Sequence, residues 1–219
     1  RLGSEIFREQ YGIKYSYVAG AMYRGISSKE MVVLMAKHKM LSFLGTGGMS
    51  LEEIKRNIIE IQSELLNGEP YGMNLLYDIA ATSLEMQTVT LYLEYGITKV
   101  EAAAYMQITL PIVYYRLKGL RLDEKGVIVC DHKILAKVSR PEVAEVFMRP
   151  APEKLVNKLL EQGLITAQQA KWSTNFPMSY DICVEADSGG HTDGGVALVL
   201  LPSIQQLKTS IEKQFTYNQ

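Results

Sequence analysis

The chain has 219 residues, 47% of them hydrophobic and 21% charged, the composition of an ordinary globular protein with enough length for one large core. A formal net charge of −1 excludes a global field that would gather nucleic acid. No apolar run reaches the roughly 18 residues of a membrane span, and no signal peptide is read at the start.

Apolar patterning alternates between two periods along the chain. "YSYVAGAM" (15–22) reads as a strand ended by small residues, and 27–40 as a helix with Met31, Leu34 and Met35 at helical spacing. "LSFLGTGG" (41–48) reads as strand then turn. Ser50 and Glu53 form an S-x-x-E capping box that starts a helix running to about Leu66. "YGMNLLYD" (71–78) is a third strand, followed by a helix over 82–95 closed by Gly96. "KVEAAAYM" (99–106) is a fourth strand, and 110–120 a short helix with an early proline. "RLDEKGVIVCDH" (121–132) predicts an inserted hairpin turning at DEKG. "KILAKV" (133–138) is a fifth strand. Ser139 and Glu142 repeat the capping box, with Pro141 in the first turn of the next helix, and 152–162 is a further helix. "DICVEAD" (181–187) is a sixth strand, and a last helix follows, bent at Pro202.

Six strands alternating with helices predict an α/β fold with a parallel sheet, doubly wound or barrel. Strand after strand ends in small or polar residues: Ala19-Gly20, Gly45 to Gly48, Asn74, Glu101, Lys137, and Glu185 to His191. A doubly wound sheet concentrates such residues at one or two switch points, so the spread favours a barrel.

Several of these strand ends carry chemistry. "GTGG" could hold a phosphate or a flat ring on backbone N–H groups, or be a tight turn. Asn74, in an apolar strand, could meet the edge of a heterocycle or be a satisfied buried amide. If Glu101, Lys137 and Glu185 face inward from neighbouring strands, Lys137 lies between two carboxylates, as site charges or as a structural ion network. Strand alternation puts Asp181, Cys183 and Glu185 on one face. His191, directly after Ser188-Gly189-Gly190, is the sharpest acid/base candidate, with Asp187 or Asp193 to orient it. That trio matches no standard metal set, so no metal is expected. His38 and His132 read as surface residues. Arg116, Lys118 and Arg121 could dock an acidic partner or be a solvated helix face. Cys130 and Cys183 show neither a disulfide framework nor a CxxC spacing, which predicts a reducing, cytoplasmic setting.

"YVAGAMYRGISSKEMV", "LGTGGMSLEEI", "PYGMNLL", "VEAAAYMQIT", "LAKVSRPEVAEVFM" and "DICVEADSGGHTDGGVA" together resemble the stand-alone, trans-acting enoyl reductases of bacterial polyketide and polyunsaturated fatty acid synthases, relatives of nitronate monooxygenase. The likeness runs from about Gly12 to Pro202 with the blocks in the family's order. It implies an FMN-binding TIM (β/α)8 barrel that uses NADPH to reduce an enoyl thioester held on an acyl carrier protein. The family's flavin contacts fall on Ala19, Gly20, Ala21, Asn74, Lys137, and Ser188, Gly189 and Gly190, with Glu185 beside Lys137, and its acid/base histidine on His191. A nitronate monooxygenase-type oxidase and a non-catalytic carrier-binding barrel are the alternatives. A complete barrel needs eight strands and about 250 residues, whereas six are read here. The family's phosphate-holding turns after strands seven and eight are not found before Gln219. With Arg1 in place of a starting Met, a longer parent is expected, the chain being one barrel domain over residues 1–219.

Overall fold

The computed structural model describes residues 3–77, 82–186 and 196–215. Chain order begins α1 (Glu5–Tyr11), β1 (Val18–Ala19), α2 (Lys29–Lys37), β2 (Leu41–Leu44), α3 (Leu51–Glu64), β3 (Gly72–Leu76), α4 (Thr82–Glu94), β4 (Lys99–Ala103) and α5 (Leu110–Lys118). A hairpin of β5 (Leu120–Leu122) and β6 (Ile128–Cys130) precedes β7 (Lys133–Val138). Then come α6 (Pro141–Met148), α7 (Glu153–Glu161), α8 (Ala167–Trp172), β8 (Asp181–Val184) and α9 (Ala197–Glu212), the last carrying Pro202 inside it. Among the described residues, no helix is long and apolar enough to cross a membrane.

Side-chain caps set several helix starts. Ser4 and Ser28 accept backbone N–H groups at the starts of α1 and α2, and Ser50 with Glu53 forms both arms of the predicted capping box. The second predicted box, Ser139 with Glu142, does not form. A residue before proline is driven out of the helical region, and Arg140 (φ −137°, ψ 137°) is held extended by Pro141. Arg140 is therefore the N-cap, Pro141 opens the helix, and Ser139 lies one residue too early. The face of α2 also differs from expectation. Val32 and Ala36, one turn apart, are fully buried, while Leu34 is 60% exposed.

Six strands pair in the order β1-β2-β3-β4-β7-β8, all parallel. The order is sequential, with no reversal of the kind that marks a doubly wound sheet. The sheet curls as the wall of a TIM barrel, carried through six strands, with helices outside. Strand alternation divides the core in two. Leu44, Met73, Val100, Ala102, Ile134, Ala136 and Val138 pack outward with the helices. Leu41, Phe43 and Leu135 pack inward with Tyr11 and Ile13, and Cys183 lies against them. The predicted hairpin is present and pairs Leu120 with Cys130 and Leu122 with Ile128. Its turn is tied by Asp123 Oδ1, which accepts from Lys125 N and Val127 N at 2.9 and 2.8 Å, with Gly126 at φ 75°.

The sequence reading passed over α1, and this short helix closes the amino end of the barrel wall. Tyr11 Oη donates to Asp181 Oδ2 at 2.8 Å. The Lys133 ammonium lies over the rings of Tyr11 and Tyr180, 5.0 and 4.7 Å from their centroids, and donates to Gln10 O. Burial raises the Asp181 carboxyl and the Tyr11 hydroxyl alike, so each depends on the other for its hydrogen bond. Tyr11→Phe keeps the ring and removes the donor. Leaving a half-buried carboxylate short of a partner is expected to lower the unfolding free energy by about 1 kcal/mol. Urea unfolding checks this, and an unchanged midpoint would show that α1 is held by ring packing alone.

Candidate functional site

Parallel strands deliver all their carboxyl ends to one rim, and that rim gathers the predicted polar residues. β1 ends at Ala19, which is buried, and passes into Gly20 and Ala21. On β4, Glu101 is fully buried and faces inward, opposite Val100 and Ala102. Its Oε2 accepts the Ala21 N–H at 2.8 Å. Gly20 lies so near that a Cβ there would stand 3.0 Å from Glu101 Oε1. Asn74 pairs in register with Glu101 across β3 and β4, and its Nδ2 donates to the Glu101 carbonyl at 3.2 Å. The Asn74 carbonyl is itself held, at 2.8 Å by Thr46 Oγ1 and at 2.6 Å by the Tyr92 hydroxyl of α4.

On the next strands, Lys137 Nζ stands 3.3 Å from Glu185 Oε1, with only 15% and 14% of the two side chains exposed. Cys183 is the register partner of Lys137. The expected grouping of Glu101, Lys137 and Glu185 is thus present, with the close pair being Lys137 and Glu185. Burial pushes the Glu101 carboxyl up to about 7; Lys137 and the Ala21 N–H oppose the rise, and Glu185 adds to it. Glu101 Oε1 is buried and has no hydrogen-bond partner.

The "GTGG" turn is a packing element here. A Cβ on Gly45 would lie 1.6 Å from Met22 O. Gly45 N donates to Ser27 O, and the carbonyls of Gly45 and Gly47 accept from Gly25 N and Arg24 N. The turn therefore braces the loop after β1, and its Thr46 braces Asn74. Ser188, Gly189, Gly190 and His191, with Asp187 and Asp193, lie outside the described residues.

Two surface readings are corrected, those of Arg116 and His132. Arg116 is 1% exposed: its Nε donates to Pro177 O at 3.1 Å and Nη1 to His132 O at 2.5 Å, so it ties α5 to the segments around β7 and β8. Arg121 stays on the surface beside Lys118, and its charge is matched by Asp131 through two contacts of 2.5 and 3.0 Å. His132 is half-buried, stacked on Tyr115 with 4.6 Å between centroids, and burial lowers its pKa. A further buried carboxylate has no counterpart among the sequence expectations. Glu85 Oε1 accepts from the Tyr105 hydroxyl at 2.7 Å and from Thr109 Oγ1 at 2.5 Å, beneath a loop that carries Ala104 at φ 60°. An acid in the first turn of a helix ordinarily faces water, so the sequence carried no signal for it.

No family model matches the chain. Over 99% of its length it is 46% identical to "Polyketide biosynthesis protein PksE" of Bacillus subtilis (strain 168), covering 28% of that protein. It is 41% identical, again over 99%, to a polyunsaturated fatty acid synthase component of Thraustochytrium sp. (strain ATCC 26185 / S-3), covering 14% of that protein. Its fold matches the crystal structure of the enoyl reductase domain of MlnA, from the macrolactin biosynthesis cluster of Bacillus amyloliquefaciens, with a TM-score of 0.94 and 37% identity, over all of this chain and 49% of that one. The resemblance carried by the six sequence blocks is borne out. The chain spans less than a third of the curated relatives and about half of the solved one.

The raised Glu101 carboxyl has a consequence for stability. The folded protein holds this proton more tightly than the unfolded chain, so the contribution is full below about pH 4.5 and is lost as pH rises through about 7. Glu101→Gln removes the titration and keeps an acceptor for Ala21. Between pH 4 and pH 8 the variant should gain on the wild type by on the order of 3 kcal/mol. Thermal or urea unfolding across that range checks the sign, and a gap that does not change with pH would refute it.

Proposed function

We propose that this chain is the greater part of the catalytic barrel of an FMN-dependent, NADPH-consuming enoyl reductase. It would reduce the α,β double bond of an enoyl thioester carried on an acyl carrier protein during polyketide or polyunsaturated fatty acid assembly. The observation that carries the reading is the match over the whole chain, at 37% identity and a TM-score of 0.94, to an enoyl reductase domain. The similarity to polyketide and polyunsaturated fatty acid synthase proteins supports the same setting.

The residues at the rim fit a flavin. Gly20 is bare backbone where a Cβ would press on Glu101, the Asn74 side-chain amide is held by its bond to the Glu101 carbonyl, and Lys137 supplies a cation held by Glu185. On this reading Ala19, Gly20, Ala21, Asn74, Lys137, Glu185 and Ser188 to Gly190 hold the cofactor. When bound, FMN would supply the two-electron hydride chemistry between NADPH and the β-carbon of the thioester. The protein binds and orients the reactants, and keeps charges where they are needed. His191 delivers the proton to the substrate α-carbon.

Two variants and one spectrum test this. The purified protein should show flavin absorbance, and its NADPH oxidation should require an enoyl thioester. A colourless protein that FMN cannot restore would remove the reading. Lys137→Met should weaken FMN binding and make the flavin harder to reduce, because a cation near the ring favours the reduced anion. Equal affinity and potential would take Lys137 out of the site. His191→Ala should retain flavin and its reduction by NADPH while losing enoyl reduction by about 10²-fold or more. Normal turnover of a crotonyl-type thioester by that variant would exclude His191 as the proton donor.

A further inference from the structure

Glu101 lies sealed under the rim, 0% exposed, with one oxygen holding Ala21 N–H and the other without a partner. A buried carboxylate oxygen that lacks a donor costs stability, and an amide in its place would still accept from Ala21. What a carboxyl group adds at this position is its proton chemistry. The charged and titratable groups that face it are Lys137 from β7, Cys183 from β8 and Glu185 just beyond β8. The turn after β1 brings the Ala21 N–H, and β3 brings the Asn74 amide. Lys137 and Glu185 cancel as an ion pair. An ionised Glu101 thus leaves one net negative charge in this cluster. Lys137 and Glu185, 15% and 14% exposed, are both open to the rim, and Lys137 is the one that attracts negative charge.

We propose that Glu101 is a positioning residue that holds the Gly20–Ala21 turn and takes up a proton when a ligand places negative charge against Lys137. The proposal rests on the cofactor reading above: the ligand is the flavin, and the charge is the one its ring acquires on reduction. Reduced nicotinamide supplies a hydride, which is two electrons and one proton, and is itself oxidised. The ring is left anionic. A second proton, from water, goes to the Glu101 carboxylate and makes it a neutral carboxyl. Negative charge drawn to Lys137 weakens that ammonium's hold on the ionised form of Glu101, which is the physical link between the two events. The position of Glu101 near neutrality, at about 7, means that modest added charge is enough to move it.

The test is the midpoint potential of the bound flavin as a function of pH, measured by equilibration with redox dyes between pH 7 and pH 8.5. In this window the wild type should take up clearly more than one proton per two electrons, the excess being the fraction of Glu101 that protonates on reduction, and Glu101→Gln one. A wild type that takes up one proton throughout overturns the proposal without recourse to any variant. A flavin-bearing Glu101→Gln with the wild-type slope overturns it as well. A protein that shows no flavin spectrum overturns the cofactor reading itself, and this proposal falls with it.

Discussion

A carboxylate sealed inside a curled sheet must be met by donors or give up its charge, and the rim of this barrel wall is arranged around that demand at Glu101. Ala21 N–H meets one oxygen, and this bond fixes where the chain turns after β1. Asn74 takes the carbonyl of the same residue, and Thr46 and Tyr92 hold the Asn74 carbonyl in turn. One buried acid thus connects β1, β3 and β4, and reaches α4 through Tyr92. The connection is incomplete at Oε1, and burial pushes the carboxyl up to about 7. A fold selected for stability alone would have little reason to keep that arrangement.

The two ends of the interior solve the charge problem differently. At the amino end, Asp181 is met by Tyr11, and Lys133 by Gln10 O and two aromatic rings. The middle is apolar, filled by Leu41, Phe43 and Leu135. At the carboxyl end, Lys137 and Glu185 pair yet stay partly open to the rim. Parallel strands make this division possible, because each loop that follows a strand arrives at the same end. The closed end holds the wall together, and the open end is where a ligand can be met.

Charge in the sequence was a poor guide to surface. Arg116 sits in a run with Lys118 and Arg121 that reads as a basic patch, yet its guanidinium is buried against two backbone carbonyls. An arginine can satisfy several carbonyls from a long stem, so burying it costs less than its charge suggests. His132 reads as a turn residue and instead stacks on Tyr115. In each case the deciding contact joins residues far apart in the chain, or on opposite sides of the inserted hairpin.

Much of the architecture was present in the sequence as periodicity. The alternation of period-two and period-3.6 segments, the Ser50–Glu53 box, Gly96 and the DEKG turn were enough for six strands, their helices and the hairpin, since each depends on residues within a few positions of one another. Strand alternation allowed Glu101, Lys137 and Glu185 to share the inner face, as a condition and not a result. Which partners they take was decided by the tertiary structure. Register across β7 and β8 sets Lys137 beside Glu185, and the turn after β1 folds back over Glu101 from 80 positions away. The closure by α1, the burial of Arg116 and the carboxylate Glu85 belong to the same class. Local patterning specifies an element, but a buried charge is satisfied by whatever the packed chain brings within about 3 Å, and no local rule encodes that distance.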